Sequence, residues 1–515
     1  MAGVRVYLKN AAILTVTGLG LRAAGMVLRV YMAALLGAEG MGLYQLIFTV
    51  YGLTATVATA GMSVAATRLA AEELARLEAP HAAGMMAKLT RLSLALGFAA
   101  CAAQLLLARP VARFALGDTR AELGLLVLAP SLPFMALAAV FKGYFFARQR
   151  VGPGVKSQVF EQAVRIALAA VMVVPAAGDW GARYACAALV AGNTVSEALA
   201  CLLLLHDYKK DARRLFGGAR PAPPADAGRR IWHILAPVEG GRCLDSALHT
   251  AENMLVPACL LAFLGSRAES LAQFGALKGM AMPVLLFPFS FLTPLATLLL
   301  PEVTRAHILG RRRTLETLVG RIMLFTNLFS VLAGGLIALN AAPLARLLYR
   351  DESVGLYLLV LAPVLPGMYL DAMGDSILKG LGEEVATFRY SIWDSMLRIA
   401  LVLLLMPHFG MTGFLVVMWA SNVTSALLNI FRIHKVTGIR TRWFEWFIQP
   451  ALLFAAAAAL GQTFVRLAAP AGDVWQVACS VAATGGLFCA FLLPLGAGRQ
   501  LKAVLDARRA PAKEN

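Results

Sequence analysis

Charged residues are scarce in this chain. Of its 515 residues, 15% are Asp, Glu, Lys or Arg and 59% are hydrophobic, and the mean hydropathy is +0.71. Soluble domains usually carry about 25% charged residues. The composition therefore excludes a soluble multidomain protein and predicts a polytopic membrane protein. Acidic residues are fewer than basic residues, which gives the chain a net charge of +18.

Several motifs of soluble chemistry are also missing. The seven cysteines lie in apolar runs without Cys-x-x-Cys spacing, which argues against a disulfide framework or a cysteine metal site. The chain has no Gly-x-x-x-x-Gly-Lys-Ser/Thr motif, so we expect no nucleotide to drive it. The predicted outer loops are short and leave no domain for a membrane-embedded glycosyltransferase. We therefore expect no enzymatic activity.

Long apolar runs fill most of the chain. Because about 20 apolar residues cross a bilayer as a helix, we predict an all-α polytopic membrane protein with about 14 transmembrane helices. The basic start, interrupted by Arg22, is interpreted as the first span and not as a removable signal. The predicted spans are residues 9–36, 43–74, 85–108, 121–147, 154–176, 182–206, 231–264, 270–304, 316–340, 353–379, 386–407, 411–432, 444–467 and 473–497.

Basic residues are distributed unevenly between the two sides of the predicted membrane. They are about four times as frequent in the inner segments as in the outer ones, which places both termini in the cytoplasm. The surplus positive charge is therefore explained by topology. We expect membrane lipids around the chain and no nucleic-acid partner.

The chain contains an internal repeat. Residues 129–133 read Ala-Pro-Ser-Leu-Pro, and residues 362–366 read Ala-Pro-Val-Leu-Pro about 230 residues later. Two acid–arginine pairs follow at the same offset, and their spacing is that of intrahelical ion pairs with a structural role. These pairs are Glu161 with Arg165 and Asp394 with Arg398.

The repeat predicts the domain organisation. An even number of spans separates the two copies, so both copies run in the same direction through the membrane. The linker between them is basic and rich in proline, which favours a position on anionic lipid, with a regulatory tether as the alternative. The predicted parts are a first lobe at 1–206, the linker at 207–230, a second lobe at 231–436, and two helices with a basic tail at 437–515.

The most polar predicted span begins the second lobe. An ionisable group at mid-bilayer is costly, so its polar face must meet protein or a wet cavity. A polar seam between helices and a water-filled path for a ligand both satisfy this requirement. Pro237 and Pro257 favour the path, because they free backbone groups that a cavity can solvate. The polar face consists of Glu239, Arg242, Asp245, Ser246, His249, Glu252 and Asn253.

Cations in other predicted spans complement this face. Arg22 and Arg29 share one face of the first span, and Arg22 lies too deep for its side chain to reach water easily. Each either pairs with an acid of the polar face or binds an anion such as a ligand phosphate. The predicted substrate-binding residues are Arg22, Arg29, Arg68, Glu239, Arg242, Glu252, Asn253 and Lys278.

The tenth span carries a pair of acids one turn apart, Asp371 and Asp375. Two nearby carboxylates can hold a proton or a sodium ion, which predicts an ion-coupling site, although Lys379 offers a simple neutralising partner. Lys142 and Glu197 lack clear partners, and the sequence leaves their roles open.

Four stretches carry a resemblance to a known family. Residues 36–44 read LGAEGMGLY, residues 252–257 read ENMLVP, residues 275–283 read GALKGMAMP, and residues 409–413 read FGMTG. These stretches resemble the stage V sporulation protein B family, in the oligosaccharide flippase branch of the multidrug/oligosaccharidyl-lipid/polysaccharide (MOP) exporters. The resemblance implies a MATE/MurJ-like fold with two six-helix lobes in parallel repeat and two C-terminal helices.

The same resemblance implies a function. It indicates a flippase that moves a lipid-linked oligosaccharide across the cytoplasmic membrane by alternating access, with a polyprenyl-pyrophosphate peptidoglycan precursor for spore cortex as the expected cargo. We expect no cofactor and a driving force from a Na⁺ or H⁺ gradient or the membrane potential. The alternative is a cation-coupled multidrug exporter of the same superfamily. The oligomeric state stays open, with a monomer among the options.

Overall fold

The computed structural model describes residues 2–59, 61–76, 79–179, 181–217, 221–439, 443–468 and 472–492, and within these ranges every regular element is a helix. The α-helices are α1 Ala2–Thr59, α2 Met62–Ala75, α3 Ala79–Pro110, α4 Ala121–Leu128, α5 Ser131–Ala147, α6 Gly152–Asp179, α7 Gly181–Phe216, α8 Ala227–Leu264, α9 Arg267–Phe274, α10 Met282–Leu286, α11 Thr293–Ile308, α12 Arg312–Leu339, α13 Ala341–Tyr349, α14 Glu352–Leu361, α15 Leu365–Gly380, α16 Glu384–Thr437, α17 Gln449–Ala468 and α18 Asp473–Leu492. Short π-helical turns lie at Val111–Ala115, Gly275–Ala281 and Phe444–Ile448, and 3₁₀ turns lie at Pro288–Phe291 and Ala362–Val364.

The predicted fold class, an all-α polytopic membrane protein, is confirmed. Ten described helices are long and apolar enough to cross a membrane, or eleven if the bent pair α4 and α5 forms one span. Two of the helices have 58 and 54 residues and are interrupted by non-helical glycines, Gly37 in α1 and Gly410 in α16. Each is long enough for two spans at about 20 residues per span. The predicted number of about 14 is consistent with these breaks.

The described chain divides into two compact units. The first consists of Met1–Gly279 with Arg398–Gly413, and the second of Met280–Leu397 with Phe414–Asn515. These boundaries follow packing and not the internal repeat. The lobes at 1–206 and 231–436 therefore stay a prediction based on the repeat.

The core of the first unit is built where α2, α3, α5 and α7 meet the start of α8. Phe141 and Tyr144 are almost completely buried there, and Ile231 and Leu235 of α8 belong to the same apolar cluster. Because lipid tails are as apolar as these side chains, close van der Waals packing stabilises the cluster. The first turns of α8 are therefore anchored in the first unit.

The predicted linker is shorter than expected, because α7 continues to Phe216 and α8 begins at Ala227. Its described part packs on protein: the backbone N–H of Ala222 donates to the Pro80 carbonyl over 3.1 Å. A Cβ at Gly84 would lie 2.2 Å from the Pro223 nitrogen, so only glycine allows this approach. Contact of the basic residues with anionic lipid stays a prediction.

In the second unit, α17 and α18 pack on α12 around Leu328, Ala457 and Phe488. Asn340 Nδ2 donates to Ser480 Oγ over 3.0 Å, which ties the end of α12 to α18. The two C-terminal helices are thus an integral part of that unit.

Candidate functional site

Helix α8 carries charged side chains at three levels of the first unit. Arg230 lies near its start, Arg242 lies 12 residues further, and Glu252 lies another 10 residues on. At 1.5 Å of rise per residue, the levels are separated by about 18 Å and about 15 Å along the helix. The predicted binding residues therefore belong to different levels and do not form one cluster.

The first level is an ion-pair network between α2 and α8. Arg230 contacts Glu72 Oε2 over 2.8 Å and Glu73 Oε1 over 2.5 Å. Arg68, a predicted binding residue, contacts the other oxygen of Glu72 over 3.0 Å. Glu73 is completely buried, whereas Arg68 is exposed. This network fixes the start of α8 to α2.

The second level borders a cavity of about 330 Å³ inside the first unit. The end of α1, the start of α2, and parts of α5, α6, α7 and α8 line it. Gly61 separates α1 from α2 with a left-handed φ of 57° that glycine adopts without strain. Four charged side chains face the cavity: Lys142, Glu161, Glu197 and Arg242.

The two carboxylates of the cavity are held differently. Glu161 forms an ion pair with Arg165 over 2.5 Å, so the predicted intrahelical pair exists. Glu197 accepts hydrogen bonds from the Tyr51 hydroxyl over 2.9 Å and from Asn193 Nδ2 over 3.0 Å. Neutral donors thus hold Glu197 in place at the cavity wall.

Glu239 and Arg242 lie one turn apart on the polar face of α8. Their closest side-chain atoms are 3.9 Å apart, and the Cys243 thiol donates to Glu239 Oε2 over 3.7 Å. The Arg242 side chain is 59% exposed, whereas that of Glu239 is 14% exposed. Arg242 is therefore accessible to a ligand, and Glu239 lies largely against protein.

The third level is centred on Glu252, whose side chain is 2% exposed. Lys278 Nζ lies 3.8 Å from Glu252 Oε1, and Arg398 Nη1 lies 3.7 Å from Oε2. His249 is 3.7 Å from Oε2 and 3.9 Å from Asp245 on its other side. One carboxylate is thus surrounded by basic groups from three elements.

Asn253, the neighbouring predicted residue, has a buried side-chain oxygen that finds no hydrogen-bond donor among the described residues. An unpaired buried amide oxygen is unfavourable. The oxygen is therefore available to a donor that a ligand or water would bring.

Lys278 is brought to Glu252 by an irregular backbone. It lies in the π-helical turn Gly275–Ala281, a geometry that often occurs at functional sites. Gln45 Nε2 of α1 donates to the Lys278 carbonyl over 3.1 Å. A Cβ at Gly275 would lie 2.0 Å from the Ala38 carbonyl oxygen, so the turn crosses α1 in direct backbone contact.

The polar face of α8 meets α1 beyond its break at Gly37. Thr250 Oγ1 donates to the Thr49 carbonyl over 3.4 Å, and Thr56 Oγ1 donates to Ser246 Oγ over 3.3 Å. The sequence predicted this contact for the first span, residues 9–36, where Arg22 is exposed and Arg29 is half-buried. A ligand role for these two arginines stays a prediction.

The predicted ion-coupling acids lie in the second unit. Asn429 Nδ2 donates to Asp371 Oδ1 over 2.8 Å, and Lys379 forms an ion pair with Asp375 over 2.6 Å. The simple partner that the sequence offered for Asp375 is therefore used. In the part of the chain that the structure describes, no group of three His, Cys, Asp or Glu side chains is placed to hold a metal ion.

Sequence reasoning missed three residues of these sites. The sequence leaves the roles of Lys142 and Glu197 open and predicts only Asp394 as the partner of Arg398. The available signal was their charge within apolar spans, since such residues usually line cavities or pair with one another. Glu197 contacts Tyr51 of α1, and Arg398 contacts Glu252 of α8. Contacts between helices cannot be read from helical spacing.

Three comparisons with known proteins bear on this architecture. A family described as polysaccharide biosynthesis protein matches residues 7–220. Stage V sporulation protein B of Bacillus subtilis (strain 168) is 25% identical over 95% of this chain and 95% of its own length.

Among solved structures, the lipid II flippase MurJ in an inward closed conformation matches with a TM-score of 0.70 and 13% identity, over 94% of this chain and 99% of that one. An inward-facing MATE multidrug resistance transporter of the MOP superfamily matches with a TM-score of 0.66 and 14% identity, over 83% of this chain and 100% of that one.

Proposed function

We propose that this multi-pass membrane protein, which resembles stage V sporulation protein B and has the fold of the MOP exporter superfamily, is a flippase for lipid-linked oligosaccharides. The resemblance found in the sequence is confirmed along nearly the whole chain. The proposed cargo is a polyprenyl-pyrophosphate-linked peptidoglycan precursor for spore cortex. The proposed location is the cytoplasmic membrane, with both termini in the cytoplasm.

The cavity beside Arg242 is the observation that supports this proposal most directly. It lies among membrane-spanning helices, and its wall presents the cations Lys142 and Arg242 together with the carboxylates Glu161 and Glu197. Cations bind phosphate oxygens through charge-assisted hydrogen bonds. Carboxylates accept hydrogen bonds from sugar hydroxyls. The wall therefore suits a head group that carries both phosphate and sugar.

The proposed transport path follows the polar face of α8. Arg242 and Lys142 bind the pyrophosphate at the cavity, and Lys278 binds it about 15 Å further along the helix. Arg22 and Arg29 of α1 are proposed as further phosphate contacts. The residues proposed to pair with the cations or to form hydrogen bonds with the sugar are Glu239, Glu252 and Asn253. The polyprenyl tail stays in lipid, because its apolar surface gains nothing from a polar cavity.

The proposed driving force is an ion gradient or the membrane potential. The two predicted coupling acids, Asp371 and Asp375, are the proposed sites for Na⁺ or H⁺, and Lys379 forms an ion pair with Asp375. Neutralising Asp371 should then reduce transport that depends on the gradient and leave exchange without a gradient intact.

Flipping of a fluorescent pyrophosphate-linked lipid in proteoliposomes tests the proposal. We expect flipping by the wild-type protein and a loss of about tenfold or more in Arg242→Gln, since a hydrogen bond to a charged group contributes about 1.5–3 kcal/mol. The matched control is Arg109→Gln at the exposed end of α3. Wild-type protein that is folded and does not flip the lipid would overturn the proposal.

A second candidate function is a cation-coupled multidrug exporter. One cavity observation and one comparison favour it: Glu161 and Glu197 are acids on the cavity wall, and the MATE transporter shares the fold. Efflux of a cationic dye by the same proteoliposomes distinguishes the two. Dye efflux that Glu197→Gln abolishes, without lipid flipping, would establish the exporter.

A further inference from the structure

Arg398 of α16 belongs to the first unit and reaches the same carboxylate as Lys278. The two cations approach opposite oxygens of Glu252 from different elements, one from α16 and one from the π-helical turn. Their side chains are 19% and 18% exposed. Two long basic side chains therefore converge on one largely buried point.

The distances show how Glu252 is held. At 3.7 and 3.8 Å, both contacts exceed the 2.7–3.2 Å of an N–H···O hydrogen bond. The carboxylate thus lies between the two cations, attracted by both without a direct hydrogen bond to either. A tetrahedral phosphate presents more acceptor oxygens than a carboxylate and suits two convergent cations better.

A counter-ion role alone accounts poorly for this arrangement. One carboxylate needs one cation, and Lys278 supplies it. Asp245 faces His249, and Asp394 precedes Arg398 by one turn on α16. A guanidinium has five N–H donors in a planar fork, so Arg398 can serve an acid and a phosphate at once.

We propose that Arg398 binds the substrate's pyrophosphate together with Lys278, in the place that Glu252 occupies in this structure. The proposal rests on the proposed function and adds Arg398 to its phosphate contact at Lys278, so that the two side chains form one phosphate-binding site. This phosphate-binding site lies about 15 Å beyond Arg242 along α8. Glu252 holds the two cations together while no phosphate is bound and is displaced when the head group arrives.

Binding measurements on the full chain in nanodiscs test this phosphate-binding site. The probes are polyprenyl pyrophosphate and polyprenyl monophosphate. We expect Arg398→Gln to weaken binding of the pyrophosphate by about 10- to 100-fold and binding of the monophosphate by less, because Lys278 still holds one phosphate. Arg398→Lys should fall between, since it keeps the charge and loses the planar fork. Arg389→Gln, at an exposed position of α16, is the matched control.

A double variant separates substrate binding from charge balance. Glu252→Gln alone removes the competing carboxylate and keeps both cations, so it is the reference for the double variant. If Arg398 served only as a counter-ion of Glu252, Glu252→Gln/Arg398→Gln would bind the pyrophosphate as tightly as Glu252→Gln. We expect the double variant to bind it about 10- to 100-fold more weakly than that reference. This variant and Arg398→Lys also carry the test if Arg398→Gln does not fold.

Three results are decisive. Folded Arg398→Gln with wild-type affinity for the pyrophosphate would overturn this inference and leave the proposed function intact. A double variant that binds the pyrophosphate as tightly as Glu252→Gln alone would overturn it equally. Wild-type protein that binds neither lipid would overturn the proposed function, and this inference with it.

Discussion

Replacing Arg230 by Gln should destabilise the first unit strongly. Arg230 bridges Glu72 and Glu73 over 2.8 and 2.5 Å, and its side chain is 19% exposed. Glu73 is completely buried, and its second oxygen has no hydrogen-bond partner among the described residues. Removing one partner of a buried ion pair leaves an uncompensated charge, which costs about 3–5 kcal/mol. Glu72 is less affected, because Arg68 still contacts it.

Thermal unfolding of the purified protein in detergent, followed by tryptophan fluorescence, measures this loss. The matched control is Arg229→Gln, which removes the same charge from an exposed neighbouring position. Adding Glu73→Gln to the Arg230→Gln variant should recover most of the stability, because no buried charge is then left unpaired. If Arg230→Gln melts with the control, or if the second substitution recovers nothing, the reasoning from buried charge is refuted.

Three further predictions follow from other parts of the chain. Gly275→Ala should prevent folding, because the new Cβ would lie 2.0 Å from an α1 carbonyl oxygen. Gly18→Ala is the control, because its Cβ would face open space. The yield of folded protein is measured by size-exclusion chromatography, and equal yields of the two variants would contradict the close crossing. In sealed cells an impermeant thiol reagent should label Thr119→Cys and spare Ala225→Cys, and the reverse pattern would invert the predicted topology. Burial raises the pKa of Asp118, but hydrogen bonds from the neighbouring arginine outweigh burial and lower the pKa below its ordinary value of about 3.9. The ionised Asp118 side chain should stabilise the fold fully above the ordinary pKa, and this stability should be lost as the pH falls through the lowered pKa. Asp118→Asn should not show this loss of stability in acid. A pH profile of the melting temperature identical to that of wild type would contradict the prediction.

Local spacing accounts for the parts of the site that could be predicted. Glu161 and Arg165 are one helical turn apart, and their ion pair forms within α6 as the spacing indicates. Lys379 and Asp375 pair in the same way on α15. These contacts depend only on the helix being formed, which the apolar composition already predicts.

Contacts between helices could not be predicted in this way. The sequence predicts that Arg68 and Lys278 bind the same substrate, because both are cations near the polar face, yet Arg68 lies in the network of Arg230. Lys142 and Glu197 had no visible partner, and the structure places both on one cavity wall with Arg242. Nothing in helical periodicity says which face of one helix meets which face of another.

The sequence by itself determined the class of the protein, the position of most apolar helices and the resemblance to a family of flippases. Composition and apolar run length suffice for this, because a bilayer accepts only segments that satisfy their own backbone hydrogen bonds. Only the tertiary structure decided that Arg398 and Lys278 share Glu252 and that α8 carries three separate charged levels. These contacts join residues that are far apart in the chain. Close backbone crossings, such as that of Gly275 with α1, determine which of these residues meet.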